Sequence, residues 1–138
     1  MRSLLCTTIK AGLVAALGLS GSAFAANHVV NVGDPNGLTF APATLNIAAG
    51  DTVTFNNGGG FHNVASDPGA VTSFRCAQGC DGAGGNGAAS NTLWSATVTF
   101  PTPGTVGYHC EIHGAPGQGM AGTITVTVPV ELQTFEVD

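Results

Sequence analysis

Apolar and polar residues alternate in several short segments of the chain, as they do in a β-strand that buries one face. Val53 and Phe55 alternate with threonine, and the same pattern returns at Ile124, Val126 and Val128. A longer run alternates apolar with hydroxyl-bearing residues, and its apolar members are Trp94, Ala96, Val98 and Phe100. No apolar pattern of helical period lasts more than two turns, so the sequence predicts an all-β domain.

Turn-forming residues separate these segments. Gly50-Asp51 follows one predicted strand and residues 101–104 follow another. Short alternating strands with frequent turns are typical of a sandwich or a barrel. A first strand is expected at 28–32, with His28 exposed at its start. Residues 77–91 lack the alternation and are rich in Gly, Ala, Ser and Asn, so we expect a flexible surface loop there.

The start of the chain predicts export. Two basic residues precede an apolar run at 11–19, and residues 23–25 form a small-x-small cleavage site. The apolar run is shorter than the about 20 residues that a membrane-spanning helix needs. We therefore expect a secretory signal peptide at 1–25, a single domain at 26–138 and a periplasmic location, without stable membrane insertion. An uncleaved anchor is the alternative.

The net charge of the chain limits the kinds of partner that it can bind. The chain carries three basic and eight acidic side chains, for a formal charge of −5 at pH 7. Loss of residues 1–25 would leave Arg75 as the one basic residue against eight acids, a charge of −7. Such a surface repels nucleic acid and attracts cationic partners over long range. Solubility alone is the alternative explanation for it.

The cysteines divide into a pair and a single residue. Four are present, and Cys6 would leave with the signal peptide. Exported proteins meet an oxidising compartment, in which neighbouring thiols pair. Cys76 and Cys80 can close a disulfide, and the alternative is a reduced, accessory metal pair. Cys110 is then the odd cysteine, which indicates a reactive thiol or a metal ligand.

The residues near Cys110 add ligands for a soft metal. His113 and Met120 follow it, and His62 lies upstream. Two imidazoles, one thiolate and one thioether form the ligand set of blue-copper electron-transfer sites, whereas a thioether is atypical for zinc. Because side chains alternate along a strand, the Cys110 sulfur is expected to point into the core and His109 to point to solvent.

Three motifs resemble those of the cupredoxins, and within them the plastocyanin-like and pseudoazurin-like branch. They are H-N-V at 62–64, Y-x-C-x2-H at 108–113 and G-M-x-G-x-I-x-V at 119–126, and L-x-I-x2-G-D-T-V-x-F at 45–55 also fits. The resemblance implies a Greek-key β-sandwich of about seven to eight strands. It also implies one type 1 copper ion, whose equatorial ligands would be His62, Cys110 and His113 and whose axial ligand would be Met120. Asn63 would form a hydrogen bond outside the ligand set.

One spacing departs from the family pattern. Plastocyanin-like proteins usually have four residues between the second histidine and the methionine, whereas six separate His113 from Met120 here. At the usual spacing stands Gln118, and glutamine is another axial ligand type. We expect Met120 to be the axial ligand because G-M-x-G keeps its place before the last strand. The longer loop, which contains Pro116, is expected to bulge outward.

The resemblance implies a small one-electron carrier. Four protein ligands leave no open position for a substrate, and no catalytic set stands out, so we expect no enzymatic activity. We expect a monomer whose partners are redox proteins such as a c-type cytochrome or a reductase with a basic docking face. They would meet the edge of His113, framed by Gly114, Ala115 and Pro116. The alternative is a periplasmic copper-binding or delivery protein without redox turnover.

Overall fold

The computed structural model describes residues 24–33 and 37–129. Most of the predicted signal peptide, residues 1–23, and the acidic tail at 130–138 lie outside the described residues, so the predicted cleavage and domain boundaries stay predictions. Every regular element in the described ranges is a β-strand, which confirms the all-β prediction. Those ranges contain no helix that is long and apolar enough to cross a membrane.

Ten strands form in the described part of the chain. They are β1 Asn27–Gly33, β2 Phe40–Ala41, β3 Thr44–Ala48, β4 Thr52–Gly59, β5 Val64–Ser66, β6 Arg75–Ala77, β7 Gly79–Cys80, β8 Trp94–Thr99, β9 Gly104–Ala115 and β10 Gln118–Thr127. β2 and β7 have two residues each. The eight longer strands agree with the predicted number.

The strands form two sheets that pack against each other. One sheet has the order β2-β1-β4-β8 and the other the order β3-β10-β9-β5-β6-β7. β1 runs parallel to β4 and β3 runs parallel to β10, whereas the other neighbouring strands are antiparallel. The chain therefore crosses repeatedly between the sheets, which is the Greek-key sandwich that the resemblance implies.

The core follows the alternation in the sequence. The apolar residues of the 94–100 run are buried, and the hydroxyl-bearing residues between them are exposed. Phe55 of β4 and Tyr108 of β9 meet edge to face across the two sheets, with ring centroids 5.4 Å apart. The prediction for Val128 is wrong: β10 ends at Thr127, and Val128 is 70% exposed.

Residues 77–91 are bonded into the fold, which differs from the loop expected there. Ala77 is fully buried, and β7 pairs with β6. Further along, Gln78 forms a bridge with Asn86, and Ser90 forms one with His62. Backbone hydrogen bonds that composition does not reveal thus bring this segment to the candidate ligand His62.

Asp51 is a buried carboxylate in the turn between β3 and β4. It accepts hydrogen bonds from the backbone N–H groups of Ala26, at 2.8 Å, and Ala48, at 3.0 Å. Its other contact is to His28 Nε2 at 2.9 Å, so His28 is a paired, half-buried residue and not the exposed one expected. These hydrogen bonds, that of His28 first, lower the pKa of Asp51 below its ordinary value of 3.8.

We predict that Asp51→Asn lowers the free energy of unfolding by about 1–3 kcal/mol at pH 7, because the three hydrogen-bonding partners of a buried carboxylate lose their charged acceptor. A pKa lowered by folding means that ionised Asp51 stabilises the protein above about pH 4 and that this stabilisation disappears as pH falls through the lowered pKa. Denaturant titrations of both proteins should show the difference shrinking below pH 4. A difference that stays constant from pH 7 to pH 3 would contradict the assignment.

Candidate metal centre

Three potential metal ligands converge at one end of the sandwich. His62 lies just before β5, while Cys110 and His113 lie on β9. One nitrogen or sulfur atom of each lies within 4.8 Å of the other two. Cys110 is fully buried, His62 is 3% exposed and His113 is half-buried. Tertiary packing therefore brings together side chains that are 48 residues apart in the chain.

The spacing of these atoms suits one ion. Cys110 Sγ lies 3.8 Å from His62 Nδ1 and 3.6 Å from His113 Nδ1, and the two nitrogens lie 3.1 Å apart. A triangle with these sides has a circumradius of about 2.0 Å, close to the lengths of metal–nitrogen and metal–thiolate bonds. Burial, with a smaller contribution from His113, lowers the pKa of His62. The ring is therefore neutral at pH 7, as a metal ligand must be.

The backbone of His62 is held by residues far from it in sequence. Its N–H donates to the Ser90 carbonyl at 3.2 Å, and its carbonyl accepts from the Ser90 N–H at 3.0 Å. Trp94 Nε1 also donates to the same carbonyl at 3.2 Å. Sequence reasoning treated Trp94 as a core residue alone, because nothing in its local pattern indicates this second contact.

Two glycines make room for the His62 ring, and sequence reasoning missed both. A Cβ atom at Gly60 would lie 2.5 Å from His62 Nε2, and one at Gly33 would lie 2.7 Å from the same atom. Both residues have a positive φ, of 87° and 79°. For Gly60, the run of three glycines before Phe61 was the available signal, since glycine is needed where a backbone closely approaches another group.

Met120 lies beside this group on β10. It is 1% exposed, and its position coincides with a register shift between Gly119 and Ala121. A Cβ atom at Gly114 would lie 2.9 Å from the Met120 backbone nitrogen, so Met120 is adjacent to the residue after His113. Gln118, the alternative axial residue, is exposed. Burial and position therefore favour Met120.

The residues between His113 and Met120 extend a hairpin where a bulging loop was expected. β9 continues to Ala115 and β10 begins at Gln118, so only Pro116 and Gly117 form the turn. Gly119 pairs with Gly114, and Gln118 pairs with Ala115. The two residues beyond the usual spacing add one more residue to each strand of the hairpin, because neighbouring antiparallel strands lengthen together by one paired residue each.

Asn63 makes the contact expected of it. Its Oδ1 accepts a hydrogen bond from the Glu111 backbone N–H at 3.0 Å, directly after Cys110. Its Nδ2 donates to the Gly87 carbonyl at 2.9 Å and to Glu111 Oε2 at 2.6 Å. The side chain is fully buried, so these contacts fix the amide relative to the cysteine-bearing strand.

The other candidate residues lie outside the group. His109 faces away from Cys110 as expected, but its Nδ1 pairs with Asp67 Oδ1 at 2.6 Å instead of facing open solvent. Cys76 and Cys80 form a disulfide with an S–S distance of 2.00 Å. Within the described residues, Cys110 is the free cysteine.

Exposed apolar residues neighbour the candidate ligands in the chain. Ala115 and Pro116 are exposed, while Gly114 is half-buried. Ile112 is 54% exposed and Phe61 is 49% exposed, and each is the chain neighbour of a candidate ligand. The predicted docking residues are therefore joined by two larger exposed apolar side chains close to the ligands in sequence.

We predict that Gly60→Ala weakens metal binding, because the added methyl group displaces the His62 ring. Gly69→Ala is the matched control: Gly69 also has a positive φ, 82°, but an added Cβ there meets nothing within 4 Å. Copper titration should show an affinity roughly 10- to 100-fold lower for Gly60→Ala than for Gly69→Ala. Equal affinities would show that the ring tolerates the methyl group.

Comparisons with known proteins agree with the architecture and with a copper site. The family model of copper binding proteins of the plastocyanin/azurin family matches residues 27–127. A chloroplastic plastocyanin from Tetradesmus obliquus is 40% identical over 114 residues, which cover 82% of this chain and 74% of that protein. A pseudoazurin structure from Sinorhizobium meliloti has a TM-score of 0.50 at 30% identity and covers 75% of each chain.

A copper-containing nitrite reductase from Thermus scotoductus shares the fold. It has a TM-score of 0.54 at 24% identity, and the match covers 75% of this chain but 23% of that one. The match to the family model includes all four candidate ligands and nearly every described residue. The chain therefore belongs to the plastocyanin/azurin family of copper-binding proteins.

Proposed function

We propose that this protein is an exported one-electron carrier that holds one type 1 copper ion. The observation that carries the proposal is the buried triangle of two imidazole nitrogens and one cysteine sulfur. A buried thioether, that of Met120, lies on the adjacent strand. This is the combination of ligand types found in blue-copper electron-transfer sites.

The residues of the chain would hold the ion in a geometry that changes little between oxidation states. Copper would supply a centre that gains and loses one electron. Cys110 and His62 are buried, and hydrogen bonds hold the backbone beside each of them, which restricts the movement of both side chains. Both packed sheets contribute to this rigidity, because dense interiors resist displacement. A stiff site keeps the reorganisation that accompanies electron transfer small.

The geometry supports electron transfer over catalysis. Three candidate ligand atoms converge on one position, and Met120 would supply a fourth ligand, a set that would leave no open position for a substrate on the metal. The nitrite reductase neighbour supports only the fold, and this chain matches less than a quarter of it. We therefore propose that the protein passes electrons between partners and carries out no reaction on a substrate.

Cys110→Ser tests the proposed copper site. The copper(II) form of the wild type should show intense visible absorption from the thiolate, and Cys110→Ser should lose it because an alcohol is a poor donor to copper. Circular dichroism and Trp94 fluorescence provide the fold control. An intense band that persists in Cys110→Ser, or a wild type without one, would refute the proposal. Copper that binds stably without the band would favour the delivery protein instead.

We propose that partners dock on the apolar surface beside His113. His113 is the equatorial ligand with partial exposure, and Ala115 and Pro116 lie next to it. A small apolar contact suits brief association, and the acidic surface would steer a basic partner such as a c-type cytochrome or a reductase. We also propose that the protein acts as a monomer.

Ala115→Lys should slow electron transfer to a basic c-type cytochrome by roughly tenfold, because it places a repelling charge in the apolar contact. Thr99→Lys is the matched control: it makes the same charge change at an exposed position of β8. Trp94 of β8 contacts His62. Thr99 lies five residues further along β8, which places it about 17 Å from Trp94 at the usual rise per residue of a strand. Stopped-flow measurements at low and high salt give the electron-transfer rate of each variant. If Ala115→Lys and Thr99→Lys slow the reaction equally, the partner does not dock beside His113.

We also propose that the protein is exported and that residues 1–25 are removed, which the mass of the mature chain can test. Removal of residues 1–25 would leave a chain that begins at Ala26, one residue before β1. The described residues before β1 are exposed, which suits access by a processing enzyme. Intact-mass analysis of protein from its natural source would reveal a different first residue if the site is wrong.

A further inference from the structure

We propose that Arg75 and Asp81 are positioning residues for the candidate copper site, and that they act through Glu111 and Asn63. This inference rests on the proposed function, because it concerns what holds the cysteine-bearing strand. The three charged side chains, Arg75, Asp81 and Glu111, are called the Arg75 brace below. Their hydrogen bonds reach the Asn63 side chain and the Gly87 backbone.

The brace closes a ring of hydrogen bonds. Arg75 Nε donates to Glu111 Oε2 at 2.8 Å, and Arg75 Nη1 donates to Asp81 Oδ2 at 3.0 Å. The other oxygen of Asp81 accepts from the Gly87 N–H at 2.8 Å. Asn63 completes the ring, because its Nδ2 donates both to the Gly87 carbonyl and to Glu111 Oε2.

Asn63 is the point at which this ring meets the metal site. It follows the ligand His62, and its Oδ1 accepts from the N–H of Glu111, which follows the ligand Cys110. Both hydrogens of its amide and its oxygen are used, so a shift of Glu111 or Gly87 leaves a fully buried amide short of a partner. Such a loss is costly, because water does not replace the missing contact.

The fold holds the two ends of the brace together. The disulfide Cys76–Cys80 lies between Arg75 and Asp81 in the chain, and the Asp81 N–H donates to the Arg75 carbonyl at 2.9 Å. A Cβ atom at Gly87 would clash with that same carbonyl oxygen, so glycine at this position lets the segment pack closely against Arg75. Arg75, the disulfide and Asp81 therefore reach Asn63 as one unit.

The guanidinium group is suited to this role. Its planar fork presents separate N–H groups to the two carboxylates, whereas lysine offers a single charged point. The Arg75 side chain is 40% exposed, and ion pairs this accessible contribute little to global stability. The expected effect of breaking the brace is therefore local, at Asn63 and Glu111, and this separates positioning from a general stabilising role.

Hydrogen exchange in the metal-free protein provides the test. Arg75→Met should speed exchange of the Glu111 amide and the Asn63 side-chain NH2 roughly tenfold, because their protection depends on the ring. The core amide of Ile124, in the β9–β10 ladder, should change less than twofold and serves as the internal reference. Exchange within twofold of wild type at Glu111 and Asn63, or equal acceleration at Ile124, would overturn the proposal.

Conservative variants sharpen the result. Glu111→Gln keeps an oxygen that accepts from Asn63 and Arg75, so it should retain most of the protection, whereas Glu111→Ala should lose it. Arg75→Lys should resemble Arg75→Met, because a single ammonium nitrogen cannot occupy the two separate positions from which Nε and Nη1 donate. If Arg75 acts through Glu111, the double variant Arg75→Met/Glu111→Ala should exchange no faster than Glu111→Ala alone. Additive acceleration would contradict action through Glu111.

The copper-loaded protein gives a separate readout. Arg75→Met should shift the reduction potential and broaden the copper EPR signal while the fold remains intact, because the sulfur ligand is held less rigidly. A wild type that binds no copper in a coloured form would refute the proposed function but leave the exchange result standing. Unchanged exchange with normal colour would refute the brace alone.

Discussion

The buried triangle of donor atoms is the constraint on which the rest of the structure depends. Two imidazoles and a thiol at separations of 3.1–3.8 Å pack poorly as ordinary core residues, because each has a polar atom that needs a partner. A shared ion satisfies all three at once. The triangle exists because the sheet that contains β9 brings Cys110 and His113 to the same end of the sandwich as His62.

Contacts from distant parts of the chain keep that triangle small. Ser90 and Trp94 hold the backbone of His62, and the aromatic contact between Phe55 and Tyr108 joins the two sheets behind Cys110. Glycines at 33 and 60 let the backbone approach the ring. The site is thus a property of the whole sandwich, since its supporting residues come from both sheets and from the segment after the disulfide.

Two groups of residues near the site differ in character. Ala115 and Pro116 at the hairpin turn are apolar and exposed, which suits brief contact with a partner. Arg75, by contrast, binds two carboxylates, and one of them also accepts a hydrogen bond from buried Asn63. In our proposals the first group meets partners and the second keeps the ligands in place, so the two tasks fall to different residues.

Local patterns in the sequence were sufficient for the all-β class and for the choice of candidate ligands, whereas the Greek-key sandwich was implied by the resemblance to the cupredoxins. Alternation at 94–100 predicted a strand with one buried face, because side-chain direction repeats every two residues. The ligand types around Cys110 indicated copper because coordination preference is a property of the side chain itself. The choice of Met120 over Gln118 followed from the motif before the last strand, and burial agrees with it.

Tertiary structure alone decided the distances and the supporting contacts. The partners of His62, His109 and Asn63 lie 24 or more residues away, and nothing local encodes which distant residue meets which. Composition suggested a loop at 77–91, yet hydrogen bonds between Gly87 and Asn63 and between Ser90 and His62 make this segment a support for the site. Ligand chemistry is carried by single residues and can be read from the chain, whereas the position of each ligand depends on packing between segments that only the folded sandwich brings together.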